Sequence, residues 1–286
     1  MRIPYALLSL ALAASPALAA DQELFAYDKT APLEIHEVSV EQRGDATVRD
    51  ITFTGVKDPI KAYLVTPARP GPHAAILYVH WFGDPATTNR TQFLSEAVAL
   101  AGRGVVSLCV DAMWANPTWW RSRKPETDFA GGVQQVVELR RALDLLLAQP
   151  GVEPARVAMV AHDFGAMFGA VMGAADRRPK AYVFLAPTPR LADWYLFNVK
   201  PVSVDDYKQE LAPLDPINAV AKLAPAPVFY QFAANDKYVP LPRPAEFYDS
   251  TKPRKQMATY DADHDLLPAE VGADRVAWLV RELGLK

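Results

Sequence analysis

The rhythm of hydrophobic and polar positions changes near residue 70. Upstream, the segments 33–40, 47–56 and 60–66 carry strand-forming residues at alternate positions, the pattern of strands with one buried and one solvated face. Downstream of the turn signal Pro70-Gly71-Pro72, apolar residues come instead in short unbroken runs: AAILYV at 74–79, VVSLCV at 105–110, VAMV at 157–160, YVFL at 182–185 and VFYQF at 228–232. Such runs fit strands buried on both faces of a parallel sheet. Helical spacing of apolar residues marks 91–102, 131–148, 164–174 and 269–283, and QMATY at 256–260 reads as one more strand. Strands alternating with helices predict an α/β domain: a mostly parallel central sheet with helices on both faces.

Two segments stand outside that alternation. Residues 187–225 separate two predicted strands and hold three short helical stretches, at 191–199, 204–211 and 217–223. A connection this long inside a compact domain predicts a short helical lid, too small to be a domain of its own. At the other extreme, residues 1–20 join one early positive charge, Arg2, to an apolar run, Pro16 and the small residues Ala17-Leu18-Ala19. That is the layout of a secretory signal, with an apolar run shorter than the roughly 20 residues that span a bilayer. Expected, then, are cleavage after residue 19, an exported protein (periplasmic or secreted) with no membrane association afterwards, and a single domain over 20–286.

Composition narrows the function classes. The 286 residues are 50% hydrophobic and 22% charged, with 30 Lys+Arg against 33 Asp+Glu and a formal charge of -3. That hydrophobic share supports a folded core, and the charge balance offers no basic surface for nucleic acid. One cysteine, Cys109, cannot form an internal disulfide, so export here does not imply a disulfide-stapled scaffold. No G-x-G-x-x-G, no G-x-x-x-x-G-K and no His/Cys pair at metal-ligand spacing occurs, and neither a cofactor nor a metal is expected.

The chemistry centres on VAMVAHDFGA at 157–166. A strand runs straight into a helix rich in small residues, with Ala161 and Gly165 two positions either side of Asp163. A turn sharp enough to expose one side chain between strand and helix leaves no room for bulk at those flanking positions. Asp163 is equally well placed to be an ordinary helix N-cap. Two further strand ends bear on that choice: Asp236 follows the strand ending near 232, and His264 follows the strand ending near 260. Nucleophile, acid, histidine is the chain order in which this type of sheet gathers a catalytic triad. Among the five histidines, at 36, 73, 80, 162 and 264, His80 reads as a structural residue at a strand end.

From about residue 74 onward the chain resembles the α/β-hydrolases, and most closely the dienelactone hydrolase branch, through FLSEAVALAGRG, LCVDAMW and GVEPARVAMVAHDFGA. The resemblance implies the α/β-hydrolase fold, a nucleophile at Asp163, an acid at Asp236 and a base at His264. It also implies an oxyanion hole from the backbone N–H of Phe164 and one from the loop after His80, where Trp81 and Phe82 are the two candidates. The nucleophile departs from the branch, which carries Cys there. His162-Asp163-Phe164-Gly165 is instead similar to the turn of epoxide hydrolases and haloalkane dehalogenases. A carboxylate attacking an sp³ carbon gives an alkyl ester that water can hydrolyse, whereas attack on an ester carbonyl gives a reactive anhydride. The expectation is thus a small-molecule hydrolase with epoxide or alkyl-halide chemistry. Dienelactone hydrolase-like ester hydrolysis and a non-catalytic ligand-binding relative stay open. Trp114, Trp119, Trp120, Trp194 and Tyr195 are the residues expected to line a substrate pocket, with Tyr207 a further possible donor from the lid.

Overall fold

The computed structural model describes residues 23–240, 242–252 and 254–286; the expected signal segment lies outside them. Nine strands form one sheet: β1 (His36–Arg43), β2 (Ala46–Phe53), β3 (Ile60–Pro67), β4 (His73–Val79), β5 (Val105–Val110), β6 (Val152–His162), β7 (Ala181–Leu185), β8 (Val228–Ala233) and β9 (Lys255–Tyr260). Their spatial order is β1-β2-β3-β5-β4-β6-β7-β8-β9. Pairings from β1 through β3 to β5 are antiparallel, and every pairing from β5 to β9 is parallel. The change of rhythm near residue 70 therefore marks a real change in the sheet. β4, β5, β7 and β8 are buried at every position, because helices cover both faces of the parallel part.

The main helices are α1 (Leu94–Ala101), α3 (Pro125–Leu147), α4 (Phe164–Ala175) and α9 (Ala269–Glu282); short ones are α2 (Trp119–Ser122), α5 (Ala192–Tyr195), α6 (Val204–Leu211), α7 (Pro216–Val220) and α8 (Arg243–Ser250). α3 begins six residues ahead of the expected 131, with Pro125 in its first turn, where a missing N–H costs nothing. Gly131 and Gly132 interrupt its apolar spacing and hid that start. Two short helices, α2 and α8, fall where no helix was expected. β1 lies three residues later than predicted and is exposed along its whole length, because it is the sheet's outer strand and its alternate valines, Val38 and Val40, face solvent.

The 187–225 segment does hold three short helices, but they do different things. α5 lies over the carboxyl end of the sheet, while α6 packs on α3 and α7 packs on α4. Only the first part therefore covers the site, and the rest buttresses two long helices. Among the described residues no helix is long and apolar enough to cross a membrane.

Candidate active site

Asp163 sits where β6 turns into α4, with φ 52° and ψ -117°. An L-residue holds such a conformation at a cost on the order of 1–3 kcal/mol. The turn is tight enough that a Cβ at Gly165 would come within 2.6 Å of the Val79 carbonyl oxygen and 2.7 Å of that of His80. The Asp163 side chain caps no N–H of its own helix by a side-chain hydrogen bond. Its Oδ2 accepts from the backbone N–H of Phe82 at 3.1 Å, and its Oδ1 has no hydrogen-bond partner among the described residues.

His264 and Asp236 complete the arrangement from the ends of β9 and β8. His264 Nδ1 donates to Asp236 Oδ2 at 2.8 Å, and its Nε2 faces Asp163 Oδ1 at 3.8 Å without a hydrogen-bond partner. Asp236 is held in turn by the N–H groups of Tyr238 and Val239, at 2.8 and 2.9 Å on its Oδ1. Burial alone would raise the Asp236 carboxyl, but the bond to His264 and these N–H groups keep it below its usual range. Burial pulls His264 down, and Asp236 together with the Asp163 charge outweighs it, leaving the imidazole raised. For Asp163 the balance goes the other way. Complete burial pushes its carboxyl up to about 6, against the pull of His264 and of the Phe82 and Phe164 N–H groups.

Three polar residues around this core hold it without joining it. His162 Nε2 donates to the backbone carbonyl of His264 at 2.9 Å, while its Nδ1 accepts from Gln92 at 2.8 Å. Burial keeps the His162 imidazole neutral, which that pair of bonds requires. Gln92 also accepts the Trp81 N–H at 2.9 Å. This settles the loop contact in geometric terms: the Trp81 N–H is spent on Gln92, and the Phe82 N–H reaches Asp163. Gln92 carries no motif signal, and His162 stood out only as the residue ahead of Asp163; only the fold brings position 92 against position 162. The ring nitrogens of His80 bond backbone groups of Trp81 and Ala112, as those of a strand-end structural residue should.

A cavity of about 440 Å³ opens beside His264, walled by Trp81, Phe82, Trp120, Trp194 and Tyr238, with Phe197 and Lys237 also on it. Of the five aromatic residues expected to line a substrate pocket, Trp120 and Trp194 face this cavity. Trp114 is instead core, stacked on Phe168 and hydrogen-bonded to the His80 carbonyl. Trp119 and Tyr195 line a different cavity, beside α3. Phe197 and Tyr238 were missed, because a surface aromatic in a loop has no periodicity to mark it. Tyr207 gives its hydroxyl to Asp128 and lies away from His264's cavity. Asp163, with no exposed surface, lies just behind His264, and the ring of Phe164 packs among Trp114, Trp119, Trp194 and Tyr195.

No family model matches the chain, and no curated protein matches it. Solved structures do. An acetyl xylan esterase from a Paenibacillus species superposes with a TM-score of 0.71 at 18% identity, covering 93% of each chain. An acetyl xylan esterase from a Thermoanaerobacterium species gives 0.73 at 14% identity over 94% of each chain. The glucuronoyl esterase from Solibacter usitatus gives 0.68 at 12% identity, over 94% of this chain and 92% of that one. The fold is that of the α/β-hydrolases. Likeness at this identity shows the architecture alone.

Proposed function

We propose that the protein is a hydrolase of small organic substrates in which Asp163 is the nucleophile, His264 the base and Asp236 the residue that orients and charges His264. One observation carries the choice of chemistry: the Phe82 N–H binds the Oδ2 of Asp163, while its Oδ1, buried and without a hydrogen-bond partner among the described residues, faces His264 Nε2 at 3.8 Å. In ester hydrolysis through a covalent intermediate, the oxyanion donors must meet an oxygen of the substrate. Here that donor is already engaged by the enzyme's carboxylate. In alkyl transfer the same contact is productive in both halves of the reaction. Oδ1 attacks an sp³ carbon, the C–O bond forms, and the leaving group departs with its electron pair as halide or as the alkoxide of an opened epoxide. Water, losing its proton to His264 Nε2, then attacks the Asp163 carbonyl carbon, and the negative charge develops on Oδ2, where the Phe82 N–H waits. Collapse, with His264 Nε2 returning its proton to the departing oxygen, releases the alcohol, and loss of the remaining acid proton, to solvent or to the alkoxide of an opened epoxide, restores the carboxylate.

Trp194 supports this reading. Its ring lies 5.9 Å from that of His264 and its Nε1–H is buried without a partner among the described residues, a donor free to meet a leaving halide or alkoxide. The esterases among the fold neighbours favour a second reading, ester hydrolysis in which His264 activates water and Asp163 acts through its charge. Export is part of the proposal on the leader sequence alone.

Intact mass separates the two chemistries. His264→Ala protein incubated with an epoxide, an alkyl bromide or an activated ester cannot complete a second half-reaction that needs the base. An adduct on the peptide holding Asp163, from the epoxide or bromide only, is the expected result. Turnover of the ester by the wild type with no mass ever left on Asp163 transfers the case to the second reading.

A further inference from the structure

Behind the aromatic wall of the His264 cavity lies another cavity, of about 340 Å³, that shares none of its lining residues. Trp119 faces it, and Trp120, 5.8 Å away ring to ring, faces the first. Its other walls include Tyr195, Arg123, Met113, Lys57 and one side of α3, which presents Gly131 and Glu138.

Two features of this cavity have no explanation within the protein. The first is Arg123. Its Nε and Nη2 bond the two oxygens of Asp128 at 3.0 and 2.7 Å, and its guanidinium carbon lies 3.5 Å from the centre of the Tyr195 ring. The side chain is 3% exposed, yet Nη1 is buried with no hydrogen-bond partner among the described residues. Buried donors left in that state are uncommon and costly. The second is Gly131. Glycine within a helix is unfavourable and normally has a packing reason. Gly132 has one: its Cβ would lie 2.5 Å from Leu214 Cδ1. A Cβ at Gly131 would meet nothing within 4 Å. The space it leaves open is the cavity.

We propose that this cavity is a second binding site, for a small uncharged molecule that sets a flat apolar face against Trp119 and an oxygen acceptor on Arg123 Nη1. The absence of charge follows from the balance of the lining: Asp128 takes the guanidinium's two other donor groups and neutralises it at contact distance, and Lys57 and Glu138 bring one charge of each sign, so that Arg123 Nη1 remains as a directional donor. The proposal is independent of the chemistry at Asp163. Because Trp119 and Trp120 stand on the same short helix, an occupant bears on the wall of the His264 cavity.

4-Bromobenzyl alcohol tests it, since bromine locates itself by anomalous scattering. Soaked into crystals of the protein, it should place bromine in the α3 cavity with its hydroxyl in hydrogen-bond reach of Arg123 Nη1. In solution it should bind saturably by calorimetry. Gly131→Leu, which fills the cavity from a position with open space, should remove that bromine peak and weaken the corresponding binding tenfold or more while leaving any peak beside His264. Gly131→Ala should keep both and controls for the helix. The proposal fails if the wild type shows no peak in the α3 cavity, if the peak persists in Gly131→Leu, if the hydroxyl turns away from Arg123, or if the peak appears as binding at crystal concentration only, without saturable binding in solution.

Discussion

Two buried aspartates stand at the two ends of one helix and meet opposite fates. Asp163 precedes α4 and Asp176 follows it, with 0% and 5% of their surfaces exposed. Burial raises the carboxyl of each. At Asp176 it is overcome: Arg178 Nε donates to Oδ1 at 2.8 Å, Arg178 Nη2 to Oδ2 at 2.6 Å and Arg140 Nε to Oδ2 at 3.3 Å, and the carboxyl is held below its ordinary range. At Asp163 the Phe82 and Phe164 N–H groups and a histidine 3.8 Å away do not overcome it, and the carboxyl rises to about 6. The helix dipole acts in the contrary sense, favouring a negative charge at the N-terminal end where Asp163 sits. Its typical 0.3–1 kcal/mol is outweighed by desolvation and pairing. A carboxylate that only holds the fold together is saturated with donors. One that is kept short of them, at a strained turn and beside a histidine, is what the proposed nucleophile requires.

The comparison is most exposed in activity. On the proposed chemistry, Asp163→Asn should lower turnover by a factor of 10³ or more, since an amide can neither attack carbon nor carry a negative charge. Asp176→Asn should leave turnover per folded molecule within about twofold, because nothing in the His264 cavity touches it. Equal losses in the two variants would erase the distinction between them, and steady-state kinetics corrected for folded fraction decides it.

Stability should order the pair the other way. Asp176→Asn removes the partner of Arg140, whose side chain is 6% exposed, and halves the pairing of Arg178. Breaking a buried pair by removing one partner typically costs about 3–5 kcal/mol. In a domain of this size that corresponds to a fall in Tm on the order of 10 °C. Differential scanning calorimetry at pH 7 measures it, and a fall under about 2 °C would show that the network is not what holds the carboxyl down.

How far such a contrast could be foreseen from the chain depends on what kind of physics made it. The elbow was legible because sterics wrote it locally: Ala161 and Gly165 must be small for Asp163 to turn outward, and the strand runs around them must be apolar because both faces are covered. The order Asp163, Asp236, His264 was legible for the same reason, each following a recognisable strand. What the loop after His80 does was not. Trp81 and Phe82 are adjacent, and only Gln92, brought up by the start of α1, decides which N–H is free. The aromatic residues announced burial but not which cavity they would face, so Trp114 went to the core and Trp119 and Tyr195 to the far side of the wall. β1 misled through Val38 and Val40: alternation predicts a buried face, and an outer strand with nothing packed on it has none.

The smallest effect is the most direct reading of the cost of keeping Asp163 unpaired. A carboxyl raised in the folded state stabilises the fold while it is protonated, below its unfolded value of 3.8, and that contribution is lost as pH rises through its folded value of about 6. Two units correspond to at most about 3 kcal/mol, at 1.36 kcal/mol per unit. Asp163→Asn should therefore be more stable than the wild type at pH 8, by up to several degrees in Tm, and the gap should close between pH 6 and pH 4. Asp176, with its carboxyl lowered, should follow the opposite course: its contribution is present above the unfolded value and is lost only as pH falls below it. On the proposed chemistry the same titration should appear in kcat/KM as an acid limb near pH 6, since Asp163 would attack only as the carboxylate. Melting curves across pH for the two variants test this. A gap for Asp163→Asn that does not vary with pH would mean that the turn's strain, relieved by asparagine, and not the buried charge, is what the wild type endures.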